Sequence, residues 1–336
     1  MAKYASNHSG SGHLKRLGIG AVLHITPSNI PLNFAYSWMN SFIAGNISLV
    51  RLPSADFKQL AILIDLIHNT FSDVRYRELE NSTLFFRSER SESRLLEIAA
   101  QVQGLVVWGS DATVDSFRKA ELAPSLRFLS FPDRVSSLVV KSSYLLRSAG
   151  DEASQIRLMK SIYNDTFMVD CNACSSPSQI IFVGDEESNK VAIEEFASQL
   201  RATLVAQGYE PPHVARLLDS LDRLNPKQDP ECIEHFGAGV HFLRVRQGSL
   251  TPSRKLRYGV FAVHQVSSIG EIESLVRSNE QTITHIGLSE EELSRLQHLL
   301  ALSPSRIVPA GFALDMDFYW EGYDIPLHLA KFAKVS

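Results

Sequence analysis

Residues 19–53 read IGAVLHITPSNIPLNFAYSWMNSFIAGNISLVRLP, and the order of elements in this stretch decides the fold class. Ile19 to Ile25 is an apolar run of strand length, the pattern of a strand buried on both faces. Thr26-Pro27-Ser28-Asn29-Ile30-Pro31 follows as a loop. Pro31 suits the first turn of a helix, where its missing N–H would have no partner in any case. Residues 32–44 are apolar enough for a buried helix, and Gly45 reads as its C-terminal cap. Ile47 to Val50 is a second strand, ending at Arg51-Leu52-Pro53-Ser54. Strand, helix and strand joined by short turns form the unit of a parallel sheet covered on both faces.

The same alternation continues outward. A helix carries Leu60, Leu63, Ile64, Ile67 and Phe71 on one face, at i, i+3, i+4, i+7 spacing. Thr83 to Phe86 is a third strand, and Leu95 to Ala100 closes another helix. Leu105-Val106-Val107 is a fourth, ending at Trp108-Gly109-Ser110-Asp111 before a helix that runs to about Ala120. Strands at 126–130 and 136–140 and a helix at 151–163 come next. A strand at 178–183 and a helix with Ile193, Phe196, Ala197, Leu200 and Leu204 on one face restart the pattern. Residues 206–235 are mixed and interrupted by Pro211, Pro212, Pro226 and Pro230. Strands at 240–245 and 259–263 and helices at 270–277 and 290–302 follow. The expected fold class is α/β, with a domain boundary just before Asp170.

Bulk properties narrow the function classes. A chain of 336 residues with 44% hydrophobic and 21% charged residues can bury a sizeable core without staples. A net charge of −4 gives no basic field to recruit nucleic acid. Three cysteines make no disulfide framework and fit a reducing cytosol. No spacing of Cys with His reads as a zinc site, so no metal is expected. Met1 to Gly12 is polar, without the apolar core of a signal peptide. No stretch is apolar for long enough to span a bilayer. The expectation is a cytoplasmic protein with no membrane span.

Ligands of parallel α/β sheets bind beyond the carboxyl ends of the strands, which here are the loops 26–31, 51–56 and 108–111. Neither a Gly-x-Gly-x-x-Gly fingerprint nor a P-loop is present. Gly109-Ser110 at a helix start reads two ways, as N–H donors for a pyrophosphate or as a helix cap. The second focus is Asp170-Cys171-Asn172-Ala173-Cys174-Ser175-Ser176-Pro177, which leads into the strand Gln179 to Val183. Cys174 lies among small residues on a short loop that feeds a buried strand, a way to hold a thiol at the mouth of a cleft. Taken alone, the octapeptide also suits a small buried hydrophobe, as free cysteines often are. Cys171 and Cys232 read as structural, and none of the eleven histidines is assigned to chemistry.

Five stretches in order resemble the aldehyde dehydrogenase superfamily, and within it the LuxC-type long-chain acyl-CoA reductases. They are His24 to Pro31, Ala44-Gly45-Asn46 through Ser54, Trp108-Gly109-Ser110, Cys174-Ser175-Ser176-Pro177, and Arg306 to Asp324. The resemblance implies an aldehyde dehydrogenase-like fold. A parallel-sheet nucleotide-binding domain would span 1–169, a catalytic domain with the nucleophilic cysteine 170–305, and a C-terminal segment packing back on the core 306–336. It implies that Cys174 attacks an acyl thioester, and that Asn29 and the backbone N–H of Cys174 donate to the oxyanion. It places Thr26, Pro27, Arg51, Ser54, Gly109 and Ser110 at the cofactor. Trp320-Glu321-Gly322 is part of the signature, read here as packing of the C-terminal arm.

Departures from the superfamily pattern refine the expectation. Hydrolytic members carry a general-base glutamate where this chain reads Phe131-Pro132-Asp133-Arg134-Val135-Ser136-Ser137. A reductase has no water to activate at that step, so the loss favours thioester reduction over oxidation to acid. Leu256 stands where a glutamate of the superfamily's Glu-x-Phe-Gly segment holds the nicotinamide ribose. The carboxylate that favours NAD after a Lys-Pro-Ser run is absent from Arg51-Leu52-Pro53-Ser54-Ala55, and Arg51 offers paired N–H donors to a 2′-phosphate. The expected cofactor is therefore NADPH. Expected partners are a fatty acyl-CoA or acyl-protein thioester, and acyl-protein synthetase or acyltransferase subunits in a homo- or hetero-oligomer. Related enzymes carry a long region before the first cofactor loop, reached here within 30 residues. The expectation is thus a short variant or a fragment with exposed apolar surface. The competing functions are an aldehyde-oxidising relative and a non-catalytic subunit that docks an acyl-transfer partner.

Overall fold

The computed structural model describes residues 13–28, 30–88, 93–148, 150–213, 216, 230–245, 255–301 and 303–335. The chain divides into two compact units, Met1–Pro132 with Met316–Ser336, and Asp133–Asp315. In chain order the strands are β1 (His13–Gly18), β2 (Ala21–Ile25), β3 (Ile47–Arg51), β4 (Thr83–Phe86), β5 (Gly104–Trp108) and β6 (Arg127–Phe131). The second unit contributes β7 (Val135–Lys141), β8 (Gln179–Val183), β9 (Pro230–Gly237), β10 (Val240–Val245), β11 (Val260–Val266), β12 (Glu280–Ile286) and β13 (Arg306–Pro309). The chain then returns to the first unit with β14 (Tyr319–Trp320), β15 (Tyr323–Asp324) and β16 (Ala330–Val335).

The first unit is built on a five-stranded sheet of order β4-β3-β2-β5-β6, parallel throughout. Every residue of β5 is buried, as two-sided coverage requires. Leu23, Ile25, Leu105 and Val107 pack on one face with Leu95, Ala99 and Phe117. Phe34 and Trp38 of the helix Asn33–Ile43 join Val50, Leu60 and Phe71 in a separate cluster. The periodic face of the helix Lys58–Phe71 behaves as its spacing predicts: Leu60 and Phe71 are buried, and Leu63, Ile64 and Ile67 pack beside them. The C-terminal arm completes this unit. Trp320 is buried with Trp108, Phe131 and Ile325, Asn46 Nδ2 donates to the Leu329 carbonyl at 2.9 Å, and β16 pairs antiparallel with β1. The arm thus packs on the core of this unit.

The second unit holds a seven-stranded sheet of order β13-β12-β7-β8-β11-β10-β9, in which only β9 runs antiparallel to its neighbour among the described pairs. Leu138, Val140, Ile180 and Phe182 face the long helix Glu186–Ala206, which buries Ile193, Phe196, Ala197, Leu200 and Leu204 against them. Val139, Ile181 and Val183 point to the other face, the two-residue alternation of a strand.

These divisions correct two expected boundaries. The first falls at 132/133 instead of before Asp170, because β7 pairs with both β8 and β12 and so belongs to the second sheet. The last segment does not begin at 306. Residues 306–315 stay with the second unit, where β13 pairs with β12, and the arm proper starts at Met316. Among the described residues no helix is long and apolar enough to cross a membrane.

One buried carboxylate pins the turn after β13. Asp165 accepts from the N–H groups of Gly311 at 2.6 Å and Ala313 at 3.0 Å. Asp165→Ala is expected to lower stability by about 2–3 kcal/mol, because two buried donors lose their acceptor; the urea midpoint should fall with the m-value unchanged. Burial pushes the Asp165 carboxyl up from 3.8 to about 6, against the pull of those N–H groups and Arg306. The folded chain then binds this proton more tightly than the unfolded chain. Stability from this group is present below pH 3.8 and lost as pH rises to about 6. Asp165→Asn should remove that slope.

Candidate active site

The cysteine loop of the second unit is assembled from the amino ends of parallel strands. β8 pairs with β7 and β11, and β12 pairs with β7 so that Thr282 lies beside Ser136. The loop enters through the short turn Phe167–Val169, after which Asp170 and Cys171 both take left-handed backbone angles. Their conformation is held from outside: Tyr209 Oη donates to Asp170 Oδ1 at 2.8 Å, and the N–H of Tyr258 donates to the Asp170 carbonyl at 3.0 Å. Cys171 is fully buried in the core, and burial pushes its thiol up to about 12. It is the structural cysteine it was expected to be.

Cys174 is different, since it is only half-buried. Its carbonyl accepts from Ser136 Oγ at 2.8 Å, and the same hydroxyl oxygen accepts from the N–H of Thr282 at 3.2 Å. The N–H of Ser176 closes a turn onto the Ala173 carbonyl at 2.9 Å, and Ser178 donates to the Ser136 carbonyl at 2.9 Å. Ser175 and Ser176 are buried. The backbone around the thiol is therefore anchored on both sides while its side chain stays accessible. Cys174 keeps this accessible place although the octapeptide also suited a buried hydrophobe.

A belt of buried polar side chains underlies this loop, and the sequence reading missed it. Lys255, 6% exposed, donates from Nζ to the Ser176 carbonyl. Glu280, 1% exposed, accepts from Ser137 Oγ, and Gln179 Nε2 donates to the same hydroxyl at 2.5 Å. Desolvation pulls the Lys255 ammonium down and pushes the Glu280 carboxyl up. The available signal for Glu280 was a single carboxylate opening the Thr-rich run Glu-Gln-Thr-Ile-Thr; Lys255, within Arg-Lys-Leu-Arg, gave none. Where the superfamily's general base was sought, Ser136 and Ser137 supply hydroxyls, both fully buried. Leu256 is a core residue packed with Leu243, Val260 and Ala262.

The loops expected to meet a nucleotide lie at the carboxyl ends of the strands of the first unit. Thr26 is buried, and its Oγ1 donates to the Arg51 carbonyl at 2.5 Å. Arg51 is 2% exposed. Its guanidinium donates to the carbonyls of Thr26 at 3.3 Å and Ser88 at 3.2 Å. This reverses the expectation for Arg51: the side chain ties together the ends of β2, β3 and the segment after β4, and is not presented to a 2′-phosphate. Among the described residues after β4, an accessible guanidinium is that of Arg87, half-exposed and paired with Asp56 at 2.7 Å. Pro27 and Gly109 are half-buried, and Ser54 and Ser110 are exposed. Ser110 caps the helix Asp111–Arg118, its hydroxyl accepting from the N–H of Thr113 at 3.3 Å, so the capping reading of Gly109-Ser110 is realised. Asn29 lies outside the described residues, as does the side chain of Cys232.

The exposed donors at these loops, Ser54, Arg87 and Ser110, suit an anionic group such as a dinucleotide phosphate; the buried Thr26 and Arg51 do not. Among the described residues no group of three or more His, Cys, Asp or Glu side chains could hold a metal.

The sequence model of the acyl-CoA reductase (LuxC) family matches residues 1–220. None of the curated proteins compared matches the chain. Among solved structures, PnpE from Pseudomonas sp. WBC-3 is similar with a TM-score of 0.70 and 13% identity, over 96% of this chain and 70% of its own. Aldehyde dehydrogenase 21 from Physcomitrella patens, solved with succinate, gives 0.69 and 12% over 96% and 70%. The glyceraldehyde-3-phosphate dehydrogenase GapN of Methanocaldococcus jannaschii, complexed with NADP, gives 0.67 and 13% over 96% and 74%. The fold is that of the aldehyde dehydrogenases, an α/β fold with a parallel nucleotide-binding sheet and an α/β catalytic domain.

Proposed function

Because the chain belongs to the acyl-CoA reductase (LuxC) family, we propose that it reduces a long-chain fatty acyl thioester to the fatty aldehyde, with Cys174 carrying the acyl group. The observation that carries this reading is the cysteine loop: one thiol fully buried at Cys171, and one half-buried at Cys174 on a backbone anchored by Ser136 and Ser178.

In this reading the Cys174 thiolate attacks the thioester carbonyl. The new oxyanion is met by the Cys174 N–H and, as the sequence expectation holds, by Asn29; one such donor lowers the barrier by about 3 kcal/mol. The donor thiol departs with its electron pair, and the acyl group remains on Cys174. A nicotinamide dinucleotide, when bound, supplies the hydride. Cys174 then takes back the C–S electron pair and releases the aldehyde. Covalent tethering keeps the acyl carbon in place between the two halves of the reaction. The buried hydroxyls of Ser136 and Ser137 replace a general base that could activate water, which favours aldehyde over acid.

For the cofactor we propose NADPH, with Arg87 in place of Arg51 as the group that meets the 2′-phosphate. Its exposed pair with Asp56 opens at little cost. Arg87→Ala is expected to raise KM for NADPH about tenfold and leave that for NADH nearly unchanged; equal effects on both would remove Arg87 from this role. Fatty acyl-CoA or an acyl-protein is the proposed donor, and acyl-transfer subunits in the cytoplasm are the proposed partners.

The reaction itself is tested by incubating the protein with long-chain acyl-CoA and weighing it intact. The expected result is one acyl adduct that discharges as aldehyde when NADPH is added. Discharge as free fatty acid would identify an aldehyde-oxidising relative. A folded protein that takes no adduct would point to the scaffold subunit instead.

A further inference from the structure

The acyl cycle on Cys174 begins and ends with a thiolate. The sulfur enters as S⁻ and forms a C–S bond while the donor thiol leaves as its own thiolate. It recovers its electron pair when the aldehyde departs. No proton is taken from Cys174 within the cycle, so what the loop needs is a fixed positive charge and not a proton acceptor. No histidine lies between Asp170 and Ser178. The buried cation bonded to this loop is Lys255, whose Nζ donates to the Ser176 carbonyl.

We propose that Lys255 holds Cys174 as its thiolate, a positioning residue that acts through charge on the loop it is anchored to. The proposal rests on the acyl-carrier reading of Cys174. Its geometry is specific. Lys255 Nζ donates to the carbonyl of Ser176, two residues beyond the nucleophile, and that turn is closed by the Ser176 N–H on Ala173. Satisfying one carbonyl does not require a cation, since a hydroxyl or amide would serve without the desolvation that burying an ammonium entails.

Among the described residues, the titratable and charged groups that act on Lys255 are Cys174 and Cys171 from the loop, Glu280 from β12, and Arg257 from its own segment. The thiols and Glu280 favour its protonated form, and burial and Arg257 oppose it. Cys171 is buried with its thiol pushed up to about 12, so it does not compete as an anion near neutrality. Glu280 is held on Ser137 Oγ within the adjacent belt.

The test is the pH dependence of iodoacetamide alkylation at Cys174 in the full chain, read on the Cys174 peptide by mass. The wild-type midpoint should lie below the ordinary thiol value of about 8.5. Lys255→Met should raise it by about one to two units, slowing alkylation at pH 7 about tenfold or more while the rate at high pH is unchanged. Lys255→Arg should keep most of the depression. An unmoved midpoint in Lys255→Met that still melts cooperatively would overturn the proposal. Should the lone substitution not fold, Lys255→Met with Glu280→Gln removes both buried charges together and is compared with Glu280→Gln alone. The same shift is expected, and equal midpoints overturn the assignment. Alkylation needs no acyl donor. A low wild-type midpoint without an acyl adduct would therefore sink the reductase reading and leave Lys255 in place, and an adduct with unmoved midpoints would do the reverse.

Discussion

Cys174→Ala is expected to abolish the acyl adduct and to lower aldehyde formation by at least about 10⁴-fold, because a covalent route has no residual path once its nucleophile is gone. The neighbouring thiol offers no rescue. Cys171 is fully buried, and burial pushes it up to about 12, so at neutral pH it is a thiol without access. Cys171→Ala should accordingly retain the adduct, after allowance for the small cavity it leaves in the core. Cys174 is half-buried, and Cys174→Ala should melt within about 1 kcal/mol of the wild type. That separation matters for interpretation. A large loss of turnover at unchanged stability assigns the chemistry to the sulfur, whereas an adduct that persists in Cys174→Ala would take the acyl group elsewhere in the chain.

The second large effect is expected at Gly259, where alanine should destabilise the protein by more than about 3 kcal/mol. Gly259 has φ +75°, and a Cβ there would overlap the backbone carbonyl of Gly239 and approach the Phe167 ring to 2.9 Å. A backbone atom cannot rotate away as a side chain can. The carbonyl of Gly259 also accepts from the N–H of His241 at 2.9 Å, which seats β10 beside β11. The adjoining Tyr258 N–H holds Asp170 at the head of the cysteine loop. Loss of packing here should therefore expose Cys171 as well, which thiol titration would detect alongside the urea midpoint. Gly208 is the control: its φ is +64° but nothing lies within 4 Å of an added Cβ, so Gly208→Ala should cost about 1–2 kcal/mol. Similar losses at the two positions would mean that left-handed backbone alone, and not the close approach to Gly239, governs Gly259.

The first unit was legible because its strands are buried on both faces and its turns are short. Apolar runs at 21–25 and 104–108 and the periodic helix 58–71 have a single consistent reading. β12 was missed for the converse reason. Its sequence Glu-Gln-Thr-Ile-Thr-His-Ile is polar, yet it lies between β13 and β7 with Glu280, Gln281, Thr282 and Thr284 buried. On the next strand the Ser137 hydroxyl donates to the Glu280 carboxylate and the Ser136 hydroxyl accepts from the Thr282 N–H, and such partners are not visible from the strand itself. β1 was missed because its pairing partner, β16, begins more than 300 residues later. Arg51 was misread for a related reason. An arginine after a strand suggests an exposed donor, but the fold brings the carbonyls of Thr26 and Ser88 to its guanidinium.

The sequence by itself determined the alternating α/β order, the cysteine loop ahead of β8, the loss of the glutamate base and the family. These are local patterns: periodicity, turn chemistry and residue identity act within a few positions and survive without knowledge of the rest of the chain. Only the tertiary structure decided which of two neighbouring thiols is accessible, that Arg51 is a buried tie, and that Lys255 lies under the turn of Cys174. Each of those depends on desolvation and on partners tens to hundreds of residues away, and burial is a property of the packed chain that no single stretch of sequence carries.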